Sequence, residues 1–156
     1  MWHGIDKRST VFPFVEALFH EHILLEPVLK AIRDLTSLSS EERVIAIRLA
    51  QARGNPDPEI LNYKAWVLVN PERAVKETDT ALALRMIRAA LARLEEGDAR
   101  LDLYHRTHAL ALFENGFLEQ AIAALERALE LAPEEGRATY EGYLAYLKEL
   151  LAEAQK

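Results

Sequence analysis

The 156-residue sequence predicts an all-α fold of about seven helices in antiparallel pairs. Three observations carry that expectation. Apolar residues recur with the 3.6-residue helical period along almost the whole chain. Runs of alternating apolar and polar residues, the mark of half-buried strands, are missing. Helix-ending signals such as Gly54-Asn55-Pro56, Asn70-Pro71, Gly97, Gly116 and Pro133 separate the periodic segments with short connections. No stretch reads as a flexible linker, so residues 1–156 are expected to form one helical domain.

The first helix is expected to be capped by Thr10 and to bury Phe14, Leu18, Ile23, Leu24, Val28, Leu29 and Ile32. Pro27 lies inside that stretch; it lacks a backbone donor and clashes with the preceding turn, so a kink or break is expected near Leu25-Glu26. Ser39 with Glu42 has capping-box spacing and opens a helix to Arg53 through Val44, Ile47 and Leu49. These N-terminal helices occupy residues 10–54. Asp57-Pro58, a cap followed by proline in the first turn, starts a helix that Asn70-Pro71 stops. Pro71 to Thr78 reads as a loop or a single turn. Thr78 or Asp79 opens the next helix, through Leu84, Ile87 and Leu91 to Gly97, completing a hairpin over 57–97. Asp98 caps the following helix, Gly116 turns the chain, and Pro133 closes a second hairpin over 99–133. A last helix over 137–155 shows Tyr140, Tyr143, Leu144, Leu147, Leu150 and Leu151 on one side.

Composition narrows the function classes. Half of the residues are hydrophobic and 28% are charged, as in ordinary globular chains. A chain of this length buries about two thirds of its unfolded surface. No apolar run approaches the roughly 18 residues of a membrane helix, and Met1-Trp2-His3-Gly4-Ile5-Asp6 has no apolar export core. There is no cysteine, which excludes disulfides, zinc–thiolate sites and thiol catalysis. A net charge of −6 argues against a nucleic-acid or anionic-membrane surface. A cytoplasmic location is expected.

The strongest pattern lies in Leu103 to Pro133. Ala109 and Ala121 stand where two helices would cross closely, Leu112, Leu125, Ala128 and Leu129 supply larger packing between them, and Pro133 ends the unit. This stretch resembles one tetratricopeptide repeat, a helix pair that stacks on copies of itself. It departs from that pattern at His105 and His108, where a large aromatic and a leucine are usual. Those residues suggest a looser contact with the preceding helix, or one satisfied by hydrogen bonds. A weaker copy lies upstream: Leu61, Ala65 and Leu68 match the first helix of a repeat, and Ala83, Ile87, Ala90 and Leu91 the second. Its helices stand about six residues too far apart because of Pro71 to Glu77. The run from Leu61 to Pro71 is also similar to helical tails of large bacterial regulatory proteins, although no kinase motif is present. In the last helix Gly142 falls where a repeat would have leucine, so it reads as the capping helix that such arrays need. The resemblance implies a right-handed α-solenoid whose inner face takes up a partner's peptide.

On that reading the inner face carries Asn62, Trp66 and Val69 from the first hairpin. Leu103, Arg106, Leu110 and Phe113 join them from the second, with Tyr140 and Leu144 from the capping helix. An apolar strip with Asn62 and Arg106 beside it suits an extended or helical segment, with Arg106 meeting a carboxylate. Members of the family that grip a C-terminal carboxylate have an Asn where this chain has Leu110. The segment Thr10 to Leu38 is an alternative occupant of the same groove.

Chemistry finds less support. His105 and His108 share a helix face, but two ligands without a His-Glu-x-x-His pattern fall short of a metal site, and His20 and His22 point to opposite sides of a helix. The acidic pairs Glu41-Glu42, Glu95-Glu96 and Glu134-Glu135 sit at helix ends or facing solvent, where no apolar pocket would raise a carboxyl pKa. No nucleophile elbow or phosphate-cradling glycine loop occurs. The sequence therefore predicts a non-catalytic protein-interaction module, without cofactor or metal, that binds a partner peptide or helix in a concave groove. The alternative is a structural element that self-associates or docks on other domains of a larger protein.

Overall fold

The computed structural model describes residues 7–156. The N-terminal run 1–6, read above for an export signal, lies outside the described residues. Eight helices occupy the rest: α1 Lys7–His22, α2 Leu25–Asp34, α3 Ser40–Arg53, α4 Pro58–Val69, α5 Thr80–Ala92, α6 Leu101–Glu114, α7 Leu118–Leu131 and α8 Glu134–Ala154, with no strand among the described residues. The chain divides into two compact units, Met1–Pro56 and Asp57–Lys156.

In the first unit the expected break near Pro27 falls slightly earlier, between α1 and α2, and raises the helix count to eight. Ile23 turns the chain with φ of 65°, a left-handed conformation costly for a β-branched residue. Its burial at 4% exposure, and its N–H donated to the Phe19 carbonyl at 2.9 Å, hold it there. Pro27 then sits in the first turn of α2, where no backbone donor is needed. Thr10 does not cap α1. Residues 7–9 ahead of it are already helical, and the Thr10 hydroxyl donates to the Lys7 carbonyl at 2.9 Å within the helix. Val11, Val15, Phe19, Val28, Leu29, Ile32, Ala46 and Ala50 form one buried cluster. The Ser39–Glu42 capping box opens α3 as expected. Arg43 reaches back from α3 and donates to the carbonyls of Arg33 at 2.5 Å and Leu35 at 2.7 Å, satisfying acceptors at the end of α2.

In the second unit α4 packs on α5 and α6, α5 on α6, α6 on α7, and α7 on α8. Asp57 caps α4 by accepting from the Glu59 N–H at 2.7 Å, with Pro58 in the first turn. Asp79 caps α5 by accepting from Leu82 N–H at 2.9 Å. Between them the loop is pinned: Arg73 donates to the carbonyls of Asn70 and Lys76, both at 3.0 Å, and the Thr78 hydroxyl to that of Leu68 at 2.5 Å. Three boundaries differ from expectation. Helix α5 ends at Ala92 rather than Gly97. Asp98 is not the cap of α6; it accepts from the Arg100 N–H at 2.8 Å and grips the Arg100 guanidinium at 2.9 Å, forming a turn one step earlier. Helix α8 starts at Glu134 rather than 137, because Pro133 alone provides the stop.

The alanines singled out in the sequence are all buried. Ala65, Ala83, Ala90, Ala121 and Ala128 are wholly buried, and Ala109 is 1% exposed. Leu112 and Leu125 fill the space between α6 and α7. Gly116 makes the α6–α7 turn with φ of 84°, a conformation open to glycine at little cost.

Candidate functional site

Four contacts orient the helices that carry the sequence-derived site residues. Glu59 pairs with Arg100 at 3.8 Å, and Trp66 lies under the Arg106 guanidinium at 4.0 Å. Higher numbers on α4 thus meet higher numbers on α6. The Tyr140 hydroxyl donates to Asp102 at 2.9 Å, and the rings of Phe113 and Tyr146 meet edge to face at 6.3 Å. The same rule holds for α6 and α8. Three helices, α4, α6 and α8, therefore run in the same sense along one face.

Near the start of that face is a polar cluster. Asp102 is only 6% exposed and Tyr140 only 3%. Burial first, and the hydrogen bond to Asp102 second, push the Tyr140 phenol up to about 12. Arg106 is half-buried, stacked on Trp66, and its Nε is sealed from solvent without a hydrogen-bond partner. Among the described residues it has no ion-pair partner. Asn62, one turn before Trp66 on α4, likewise has a buried Oδ1 without a partner.

Further along lies an apolar slot of about 180 Å³ between α6 and α8. Leu110, Phe113, Tyr143, Tyr146 and Leu147 form most of its wall, and Pro71 closes one side. Glu114 stands beyond Phe113 and is held by Arg73 at 3.2 Å, a guanidinium whose side chain is 8% exposed. A wider trough in the first unit runs past Lys7, Glu41 and Arg48, but there Lys7 is already paired with Glu41.

Of the residues expected at the inner face, Trp66 and Arg106 come together directly, with Asn62 on the same helix as Trp66. Leu110 and Phe113 line the slot. Val69 is wholly buried, Leu144 is 9% exposed, and Tyr140 spends its hydroxyl inside the protein. Leu103 stands 40% exposed, away from the slot. The sequence marks Tyr143 and Leu147 only as part of the apolar side of the last helix, and Asp102 and Tyr146 not at all. An acidic residue in a first helical turn reads as a surface complement to the helix dipole, and nothing in the sequence of α8 distinguishes a slot wall from a core face.

His105 and His108 lie on α6, toward arginines of neighbouring helices. Burial first, then Arg88 and His105, push His108 down to about 4. Burial and Arg127 lower His105. The Nε2 of His108 has no hydrogen-bond partner, so at this histidine the departure from the repeat pattern is not offset by a bond at that atom. Among the described residues no group of three or more His, Asp or Glu could hold a metal ion. No helix among them is long and apolar enough to cross a membrane. Compared with known proteins, the chain matches no family model, no curated protein and no solved structure.

Proposed function

We propose that this chain is a non-catalytic protein-interaction module of the cytoplasm, an adaptor or scaffold. On this reading its second unit holds a partner's peptide or helix along the face of α4, α6 and α8. The observation that carries the reading is Arg106, stacked on Trp66, unpaired among the described residues, and one helical turn from an apolar slot. Concave sites of this composition bind ligands by apolar burial and take orientation from a few polar groups. Supporting it, α4, α6 and α8 share a direction while α5 and α7 intervene in sequence, and the alanines of α4 to α7 that a repeat would place at crossings are wholly or almost wholly buried. Short connections such as 115–117 favour antiparallel neighbours. These features support a tetratricopeptide-like array, with α4–α5 and α6–α7 as hairpins, α8 as the cap and a right-handed superhelix as the expected shape.

A second reading, self-association or docking on another domain, is favoured by a different face. Ile60, Tyr63 and Val67 recur along α4 at 53%, 67% and 48% exposure, with Leu103 on α6 at 40%. Apolar patches of this kind mark interaction surfaces when they are contiguous.

Pull-down from the source cell with the wild-type chain and Arg106→Glu tests the first reading. Partners present with wild type and lost with the variant are expected. Identical partner lists would dismiss the α4–α6–α8 face as the binding site.

A further inference from the structure

We propose that the α6–α8 slot and Arg106 together recognise one two-point motif. That motif is a segment presenting a large apolar side chain and, about one helical turn away on the same face, a side-chain carboxylate. This rests on the reading of the α4–α6–α8 face as a peptide groove and adds to it the chemistry of the partner.

The slot sets the first point. Its volume of about 180 Å³ compares with the 150 Å³ of an apolar cavity that takes up benzene. A single aromatic ring or branched aliphatic side chain therefore fills it. Phe113 and Tyr146 meet edge to face at its rim, an arrangement that offers ring edges and faces to an entering ring.

Arg106 sets the second. It precedes Leu110 by four residues, so its Cα lies about 6 Å along α6 from the slot. Stacking on Trp66 at 4.0 Å fixes the plane of the guanidinium, and a planar fork held in place suits bidentate recognition of a carboxylate. The acidic groups of α6 are committed elsewhere: Asp102 accepts from Tyr140 at 2.9 Å, and Glu114 pairs with Arg73 at 3.2 Å. A half-buried cation without an ion-pair partner among the described residues gains most from a partner that brings the missing charge.

The competing occupants fit less well. A purely apolar segment would leave Arg106 unpaired under a drier cover. A chain terminus would need a second polar group where Leu110, 7% exposed, lines the slot.

The test uses the full chain with Trp2→Phe, which leaves Trp66 as the sole tryptophan. Three capped, C-terminally amidated helical peptides are titrated against its fluorescence: one with Glu and Phe four residues apart on one face, one with Gln and Phe, and one with Glu and Ala. The Glu–Phe peptide is expected to change Trp66 emission saturably, with each analogue at least tenfold weaker. Arg106→Gln should bind the Glu and Gln peptides alike. Tyr146→Ala, at an exposed position that tolerates truncation, should lose the preference for Phe over Ala and keep that for Glu over Gln.

Equal binding of all three peptides overturns the proposal, as does no binding of any. So does concentration-dependent emission of the free protein with a dimer in light scattering, which would assign the slot to a second copy. If the peptides fail while the pull-down still depends on Arg106, the groove stands and only this motif falls. If the pull-down shows no such dependence, the groove reading itself fails.

Discussion

Replacing Tyr140 with phenylalanine removes one oxygen and keeps the ring, so it isolates the bond that joins α8 to α6. The hydroxyl donates to Asp102 at 2.9 Å, and the carboxylate is only 6% exposed. Hydrogen bonds to charged groups contribute about 1.5–3 kcal/mol, and a buried acceptor left without its donor bears the desolvation cost. No cavity of consequence forms, because the ring stays. The expected loss is therefore about 2 kcal/mol, against a total stability of roughly 5–15 kcal/mol for domains of this kind. Urea unfolding followed by far-ultraviolet circular dichroism measures it, with an unchanged slope showing that stability alone has changed. Asp102→Asn provides the cycle: after it, Tyr140→Phe should cost clearly less, leaving a coupling of about 1 kcal/mol. The phenol offers a second readout. Its pKa is raised from 10.0 to about 12 by burial and by Asp102. The stability linked to it is thus complete below about pH 10 and lost as pH rises through about 12. In Asp102→Asn the phenol should titrate lower by ultraviolet absorbance. A loss below about 0.5 kcal/mol in Tyr140→Phe, or an unmoved phenol in Asp102→Asn, would refute the reasoning.

Acid should destabilise the protein in part through His108, whose pKa falls from 6.5 to about 4, first through burial and then through Arg88 and His105. A depressed pKa means that the unfolded chain binds the proton first. Stability is therefore full above about pH 6.5 and declines as pH falls through about 4, by on the order of 3 kcal/mol at most. His108→Leu should flatten that decline in thermal melts across the same range. Ser39→Ala removes the acceptor of the Glu42 N–H at 3.2 Å and keeps the reciprocal bond, in which the Ser39 N–H donates to the Glu42 carboxylate at 2.8 Å. Losing that one acceptor should lower stability by about 1 kcal/mol in urea unfolding.

The helices were legible in the sequence because their signals are local. Ser39 with Glu42, Asp57 with Pro58, Asn70 with Pro71 and Gly116 act within a few residues of themselves, and each ends or begins a helix as its chemistry requires. Errors of boundary came where two local signals compete. Asp98 has the composition of a cap, yet it is drawn into a pair with Arg100. Thr10 stands at a plausible helix start, yet the described residues ahead of it, 7–9, are already helical.

For the site, the reach of the sequence was shorter. Periodicity on α4 and α6 put Trp66, Arg106, Leu110 and Phe113 on faces that could look inward, since those faces follow from the helical repeat alone. That Arg106 covers Trp66, that Asp102 meets Tyr140 across 38 positions of chain, and that Tyr143 and Tyr146 wall a slot with Phe113 depend on which helices lie side by side. Such contacts join residues far apart in sequence and leave no local periodic trace. By itself, then, the sequence determined an all-helical chain, where most of its helices begin and end, and which alanines are buried. Tertiary structure alone decided which polar groups are satisfied, that Arg106 sits over Trp66 without an ion-pair partner among the described residues, and where the wall of α6 and α8 opens. Helix formation and capping depend on neighbours within a turn, whereas burial and charge pairing depend on the summed packing of every helix in a unit.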